Sequence, residues 1–108
     1  MILKYAKADG SSVTLRLKEM SAAPQVTVGR DKTASIPLDD SQCSRIHCSI
    51  RYWDDIFVIR DMHSSNGTFV NGAKIEVAKL TPGDVIKVGN TEIHVLSGGT
   101  GADVTMKG

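Results

Sequence analysis

Apolar side chains recur along this chain with a period of two, and no stretch sustains the 3.6-residue period of a buried helix, which commits the chain to strands. Val13, Leu15 and Leu17 alternate with Thr14, Arg16 and Lys18, and Val26 and Val28 flank Thr27. Cys48, Ile50 and Tyr52 alternate with Ser49, Arg51 and Trp53; Asp54-Asp55 then predicts a turn, and Ile56-Phe57-Val58-Ile59 returns as a buried strand. Val85-Ile86-Lys87-Val88, the turn Gly89-Asn90 and the run from Thr91 to Leu96 repeat that hairpin. Gly, Pro, Asn or Asp interrupts the chain at about every 8 to 12 residues, the spacing of a sandwich or barrel. Helix formers follow one another only from Lys18 to Ala23, a run too short to stand alone and stopped by Pro24, so a loop is expected there. The expectation is an all-β sandwich over residues 1–96. From Ser97 the apolar period is gone, and residues 97–108 are expected to form a flexible tail or linker.

With 108 residues the chain makes one domain, long enough to bury a core without disulfide or metal staples. Its 13 Lys plus Arg against 12 Asp plus Glu leave a formal charge of 13 − 12 = +1. That removes the general electrostatic case for nucleic acid or an anionic membrane as partner, so any anion site must be local. The longest apolar run, Ile56 to Ile59, falls far short of the ~20 residues a spanning helix needs. Residues 1–5 show no secretory signal, and the expected setting is cytoplasmic. Cys43 and Cys48 are accordingly expected as reduced thiols.

The predicted loops carry a dense set of polar residues: Gly29-Arg30, then Ser44-Arg45-Ile46-His47, then Asp61 through Gly72, then Gly83-Asp84. Gathered at one end of a sandwich, they would offer guanidinium, hydroxyl, carboxamide and backbone N–H groups together. That combination suits a phosphate monoester, because Arg presents a planar fork of donors while hydroxyls and amides complete the oxygen shell.

Gly29-Arg30, Ser44-x-x-His47, Ser65-Asn66-Gly67-Thr68-Phe69-Val70-Asn71-Gly72 and Leu80-x-x-Gly83-Asp84 resemble, in order and spacing, the forkhead-associated (FHA) domain. The resemblance implies a β-sandwich of about eleven strands that binds phosphothreonine peptides through loops at one end. It places Arg30 and Ser44 on the phosphate and Arg45 beside them on phosphate or peptide backbone. It also places Ser65, where threonine is frequent, against the phosphorylated residue, and Asn66 on the peptide main chain. Gly29 and His47, with Gly67, Asn71 and Gly72, are expected to organise loops without touching ligand. Gln42 is expected near the pocket for the third residue after the phosphothreonine, where its lack of charge argues against a strict demand for an acidic residue. The implied partners are a phosphothreonine-containing protein and a Ser/Thr kinase or its substrate; no cofactor, metal, nucleic acid or membrane is implied.

Other chemistries fit less well. Ser44, His47 and Asp61 supply the residue types of a hydrolase triad, but there is no Gly-x-Ser-x-Gly elbow and no helix to build one, so no enzyme is expected. Cys43, His47, Cys48 and His63 match no zinc-ligand spacing. Gly67-x4-Gly72-Ala73-Lys74 misses the nucleotide-binding loop by one place and leads into a strand. Asn66-Gly67-Thr68 matches the glycosylation acceptor pattern by coincidence. Asn66-Gly67 and Asn71-Gly72 both predict type I′ turns. The competing function is a phosphate-independent scaffold or oligomerisation module on the same fold, with Trp53 and Tyr52 as the contact anchor.

Overall fold

The computed structural model describes residues 2–7, 9–16, 25–53 and 56–97. Eleven strands form: β1 (Ile2–Ala6), β2 (Ser12–Arg16), β3 (Gln25–Gly29), β4 (Ile36–Pro37), β5 (Cys48–Trp53), β6 (Ile56–Asp61), β7 (Thr68–Val70), β8 (Ala73–Ile75), β9 (Val77–Leu80), β10 (Val85–Val88) and β11 (Thr91–Ser97). They make a six-stranded sheet, β2-β1-β11-β10-β7-β8, and a five-stranded one, β4-β3-β5-β6-β9. Among the described residues, only the two-residue pairing of β3 with β4 is parallel. Leu17, the expected 18–23 loop, the Asp54-Asp55 turn and residues 98–108 lie outside the described residues, and Ser97 closes β11.

Alternation does the sorting. Leu3 and Tyr5 of β1, Ile86 and Val88 of β10, and Ile93 and Val95 of β11 point inward from one sheet. Val28, Ile50, Phe57, Ile59 and Leu80 meet them from the other. Each fully buried Leu or Ile contributes about 1.5–3 kcal/mol, and shifting any strand by one residue would turn these side chains to water. Cys43 and Cys48 are free thiols in this core. Burial pushes Cys43 up to about 11 and Cys48 up to about 12, which keeps both protonated. Tyr52 also turns inward: its ring sits 4.8 Å from that of Phe57, its cross-strand partner, so it is no surface anchor.

Chain direction then places the loops. β3 and β6 finish at the end of the sandwich where β5 and β7 begin, because Val28 pairs with Cys48 and Cys48 with Asp61. At that end the His47 N–H donates to the Val28 carbonyl at 2.8 Å, and the Met62 N–H donates to the His47 carbonyl at 2.9 Å. Of the two Asn-Gly pairs, only Asn71-Gly72 (φ 52° and 86°) has the two left-handed residues of a type I′ turn. Asn66 does not adopt positive φ, and Gly67 alone does (89°), since Asn66 opens a loop and not a two-residue hairpin.

Candidate functional site

β3 ends against the 44–45 segment with no room between. A Cβ on Gly29 would lie 2.0 Å from the Arg45 carbonyl oxygen, so only glycine permits this approach. Beyond it the Arg30 N–H donates to the Ser44 carbonyl (2.9 Å) and the Asp31 N–H to that of Arg45 (3.0 Å). The Arg30 side chain adds a bond from Nε to the Cys43 carbonyl at 3.1 Å. One of its five N–H donors thus fixes the guanidinium of this exposed residue, and the four on the Nη atoms have no hydrogen-bond partner among the described residues. Arg45 stands further out, 77% exposed, its Nη2 3.6 Å from Asp31 Oδ2. Such a pair is worth little in water and leaves Arg45 able to exchange partners.

His47 is wholly buried and both ring nitrogens are occupied. Nδ1 accepts from the Ser44 backbone N–H at 3.0 Å, and Nε2 donates to the Gly67 carbonyl at 2.7 Å. A carbonyl only accepts, so the ring proton sits on Nε2. The ring therefore ties the Ser44 loop to the 62–67 loop and has no free nitrogen with which to activate a hydroxyl. Ser44 Oγ instead accepts from the Ser65 N–H at 2.9 Å. One lone pair is used, and the hydroxyl proton remains to be donated.

Asn66 donates from Nδ2 to the Gln42 carbonyl at 2.8 Å, which fixes its carboxamide and leaves Oδ1 to accept. Gln42 is held in turn by Asp40, whose Oδ1 accepts its N–H at 2.9 Å. Asp40 Oδ2 accepts from the Asn90 N–H and the Thr91 hydroxyl, both at 2.7 Å, linking the site to the β10–β11 hairpin. Gly89 (φ 60°) makes room, since a Cβ there would lie 2.9 Å from the Asp40 carboxylate. Under the third loop Asp61 accepts from the Ser64 hydroxyl, and from the Thr68 hydroxyl at 2.7 Å. The Gly67 N–H donates to Ser64 Oγ at 2.9 Å.

Burial disfavours ionisation of Asp40 and Asp61, but these hydrogen bonds outweigh it and hold both below the usual carboxylate value of 3.8. Their stabilisation is present above that value and is lost as pH falls through the lowered values. Thermal unfolding followed against pH should show the midpoint dropping below about pH 4. Asp40→Asn and Asp61→Asn should each lower stability at neutral pH by ~1–3 kcal/mol and flatten the acid limb.

The structure thus brings together Gly29, Arg30, Gln42, Ser44, Arg45, His47, Ser65, Asn66 and Gly67. It sets Asn71 and Gly72 apart, at the far end of β7, where Asn71 clamps the 81–84 loop. There Asn71 Nδ2 donates to Asp84 Oδ1, and its Oδ1 accepts the Val85 N–H, each at 2.9 Å. Sequence reasoning missed Asp40, Ser64 and Thr68; an Asp two residues before Gln42 was the available signal for the first, and nothing local marked the others.

Residues 26–89 match the FHA domain family. The chain is 39% identical over 87 residues, 81% of its length, to the FHA domain-containing protein FhaA of Mycobacterium tuberculosis (strain ATCC 25618 / H37Rv), of whose length it covers 16%. Among solved structures, the FhaA FHA domain complexed with the intracellular domain of Rv3910 superposes with a TM-score of 0.73 at 35% identity, over 85% of this chain and 97% of that one. A structure from an analysis of phosphothreonine-dependent FHA domain interactions gives a TM-score of 0.70 at 32% identity, over 89% and 96% of the two chains. The family model, the sequence relative and the similar structures agree, and the chain belongs to the FHA domain family.

Proposed function

We propose that this domain is a binding module, without catalytic chemistry of its own, that docks phosphothreonine segments of partner proteins phosphorylated by a Ser/Thr kinase in the cytoplasm. The observation that carries the reading is the joining of Arg30 to the 43–44 segment, by its N–H to the Ser44 carbonyl and its Nε to the Cys43 carbonyl. Arg30 is fixed through Nε with its Nη donors unpartnered among the described residues, and the Ser44 hydroxyl has its proton free because Ser65 supplies the N–H it accepts. A phosphothreonine brings about −1.5 to −2 charges and three acceptor oxygens to those donors, and unmodified threonine brings neither. Asn66 Oδ1 can then accept a main-chain N–H of the peptide without reading its sequence, and the exposed Gln42 faces residues further along. The FhaA domain's complex with an intracellular protein domain, and the phosphothreonine dependence studied in the second structure, support the same reading. Little apolar area is engaged, so affinity should be modest.

The test is a calorimetric titration with degenerate peptide pools carrying phosphothreonine, phosphoserine or unmodified threonine. Binding confined to the phosphothreonine pool is expected; no binding by the folded domain to any pool would favour the phosphate-independent scaffold. Phosphate loses its second proton near pH 6, so affinity should rise between about pH 5 and 7.5 as the dianion forms. A flat profile would exclude direct contact with the phosphate.

A further inference from the structure

Among the described residues, the charged side chains in two neighbouring rows on the outer face of the five-stranded sheet are all cations. Register places Gln25, Arg51, Val58 and Lys79 in one row across β3, β5, β6 and β9, and Thr27, Ser49, Arg60 and Val77 in the next. Arg51, Arg60 and Lys79 are exposed, and among the described residues none has an ion-pair partner and no carboxylate shares these rows. Between them lie half-buried Val58 and Val77, which is 51% exposed; Met62, 38% exposed, adjoins Ser49, whose hydroxyl donates to its Sδ. The outer face of the other sheet differs, because Glu92 there pairs with His94 at 3.8 Å and lies opposite Lys87. Arg60 and Val77 also line a surface groove that reaches Ser64, next to the phosphate-facing Ser65. His63, Lys74 and the carboxylates of Asp61 and Glu76 line it too, so the groove itself is balanced in charge and the cationic excess lies on the open sheet rows.

We propose that this face, continuous with the phosphopeptide loops, docks a second segment of the phosphorylated partner: an acidic strand-like stretch whose carboxylates meet Arg51, Arg60 and Lys79 and whose alternate apolar side chains cover Val58 and Val77. The inference rests on the phosphothreonine reading above and adds a second contact to it. Charge complementarity names the occupant, since three cations without an ion-pair partner among the described residues, set around valines, favour carboxylates at alternating positions. Val58 lies three residues from Asp61 along β6, about 10 Å at strand rise. A tether of about ten Gly and Ser residues, spanning ~17 Å root-mean-square, bridges the two contacts.

The test compares a phosphothreonine nonapeptide with the same peptide tethered, at either end, to an eight-residue alternating Glu-Val or Lys-Val segment. One Glu-Val form should bind about tenfold tighter at low salt, the order expected of three exposed charge contacts, and the Lys-Val forms should show no gain. Arg51→Glu/Lys79→Glu and Arg60→Gln should remove the gain while leaving the plain nonapeptide unchanged. Amide signals of Val58, Val77 and Lys79 should shift with the free Glu-Val segment even in Arg30→Ala, so failure of the phosphate site is told apart from failure of the face. No gain from either Glu-Val form, or a gain that survives charge reversal, overturns the proposal.

Discussion

Arg30→Ala should remove nearly all phosphopeptide binding, a loss of ~2–4 kcal/mol or about 30- to 1000-fold in affinity, while the domain stays folded. Both halves follow from one geometry. The side chain is exposed, so its loss opens no core cavity; among the described residues the Nε bond to the Cys43 carbonyl is the one intramolecular bond given up. What disappears is the fork of Nη donors proposed to offset the phosphate charge. Arg30→Lys should rescue only part of the loss, because an ammonium restores charge without the planar pair of donors or the Nε anchor. Isothermal titration with the phosphothreonine pool, alongside thermal melts of each variant, separates the two effects. Wild-type affinity in Arg30→Ala would remove this residue from the site.

Gly29→Ala should act in the opposite way, on the fold first and on binding as a consequence. Its added Cβ would lie 2.0 Å from the Arg45 carbonyl oxygen, 2.7 Å from that carbonyl carbon and 2.9 Å from the Ile46 Cα. All three are backbone atoms, so no side chain can swing aside. Relief requires β3 to part from the 44–46 segment, which strains the bonds from Arg30 N–H to Ser44 and Asp31 N–H to Arg45. A cost above ~3 kcal/mol is expected, in the upper range for one substitution, with a matching fall in the urea midpoint. Phosphopeptide binding should be lost even where the variant remains folded, because Ser44 and Arg30 no longer share a frame. Gly72→Ala is the control: open space surrounds its Cβ, so only the cost of its left-handed φ of 86° should appear, with binding intact.

Much of this was legible in the residues because strand alternation and local turn chemistry are short-range signals. The hairpins β5–β6 and β10–β11 stood out, with Ile50 and Ile59 buried as their alternation required. β7 was not legible as a strand by its polarity: Thr68 is fully buried, satisfied by Asp61, while Phe69 is half-exposed, the reverse of an apolar-in pattern. β4 and β8 are two and three residues long, lengths at which period two carries no information. At the site, Arg30, Ser44 and Asn66 could be named because their types, in that order, match a family pattern. Asp40 could not, since its role depends on Asn90 and Thr91 about fifty residues away, a contact only the closed sandwich creates. The same limit applies to Asn71. Its turn was legible, but the end of β7 on which it lies depends on strand direction.

The joined loops after β3, before β5 and after β6 are proposed to read a phosphate on threonine. The most direct test is an amide NMR titration of the domain with a phosphothreonine peptide and, separately, with its unmodified twin. The account predicts shifts centred on Arg30, Ser44, Arg45, Ser65 and Asn66 with the phosphorylated peptide alone, and a quiet far end at Asn71 and Asp84. Equal responses to the two peptides, or shifts centred away from Arg30 and Ser44, would contradict it.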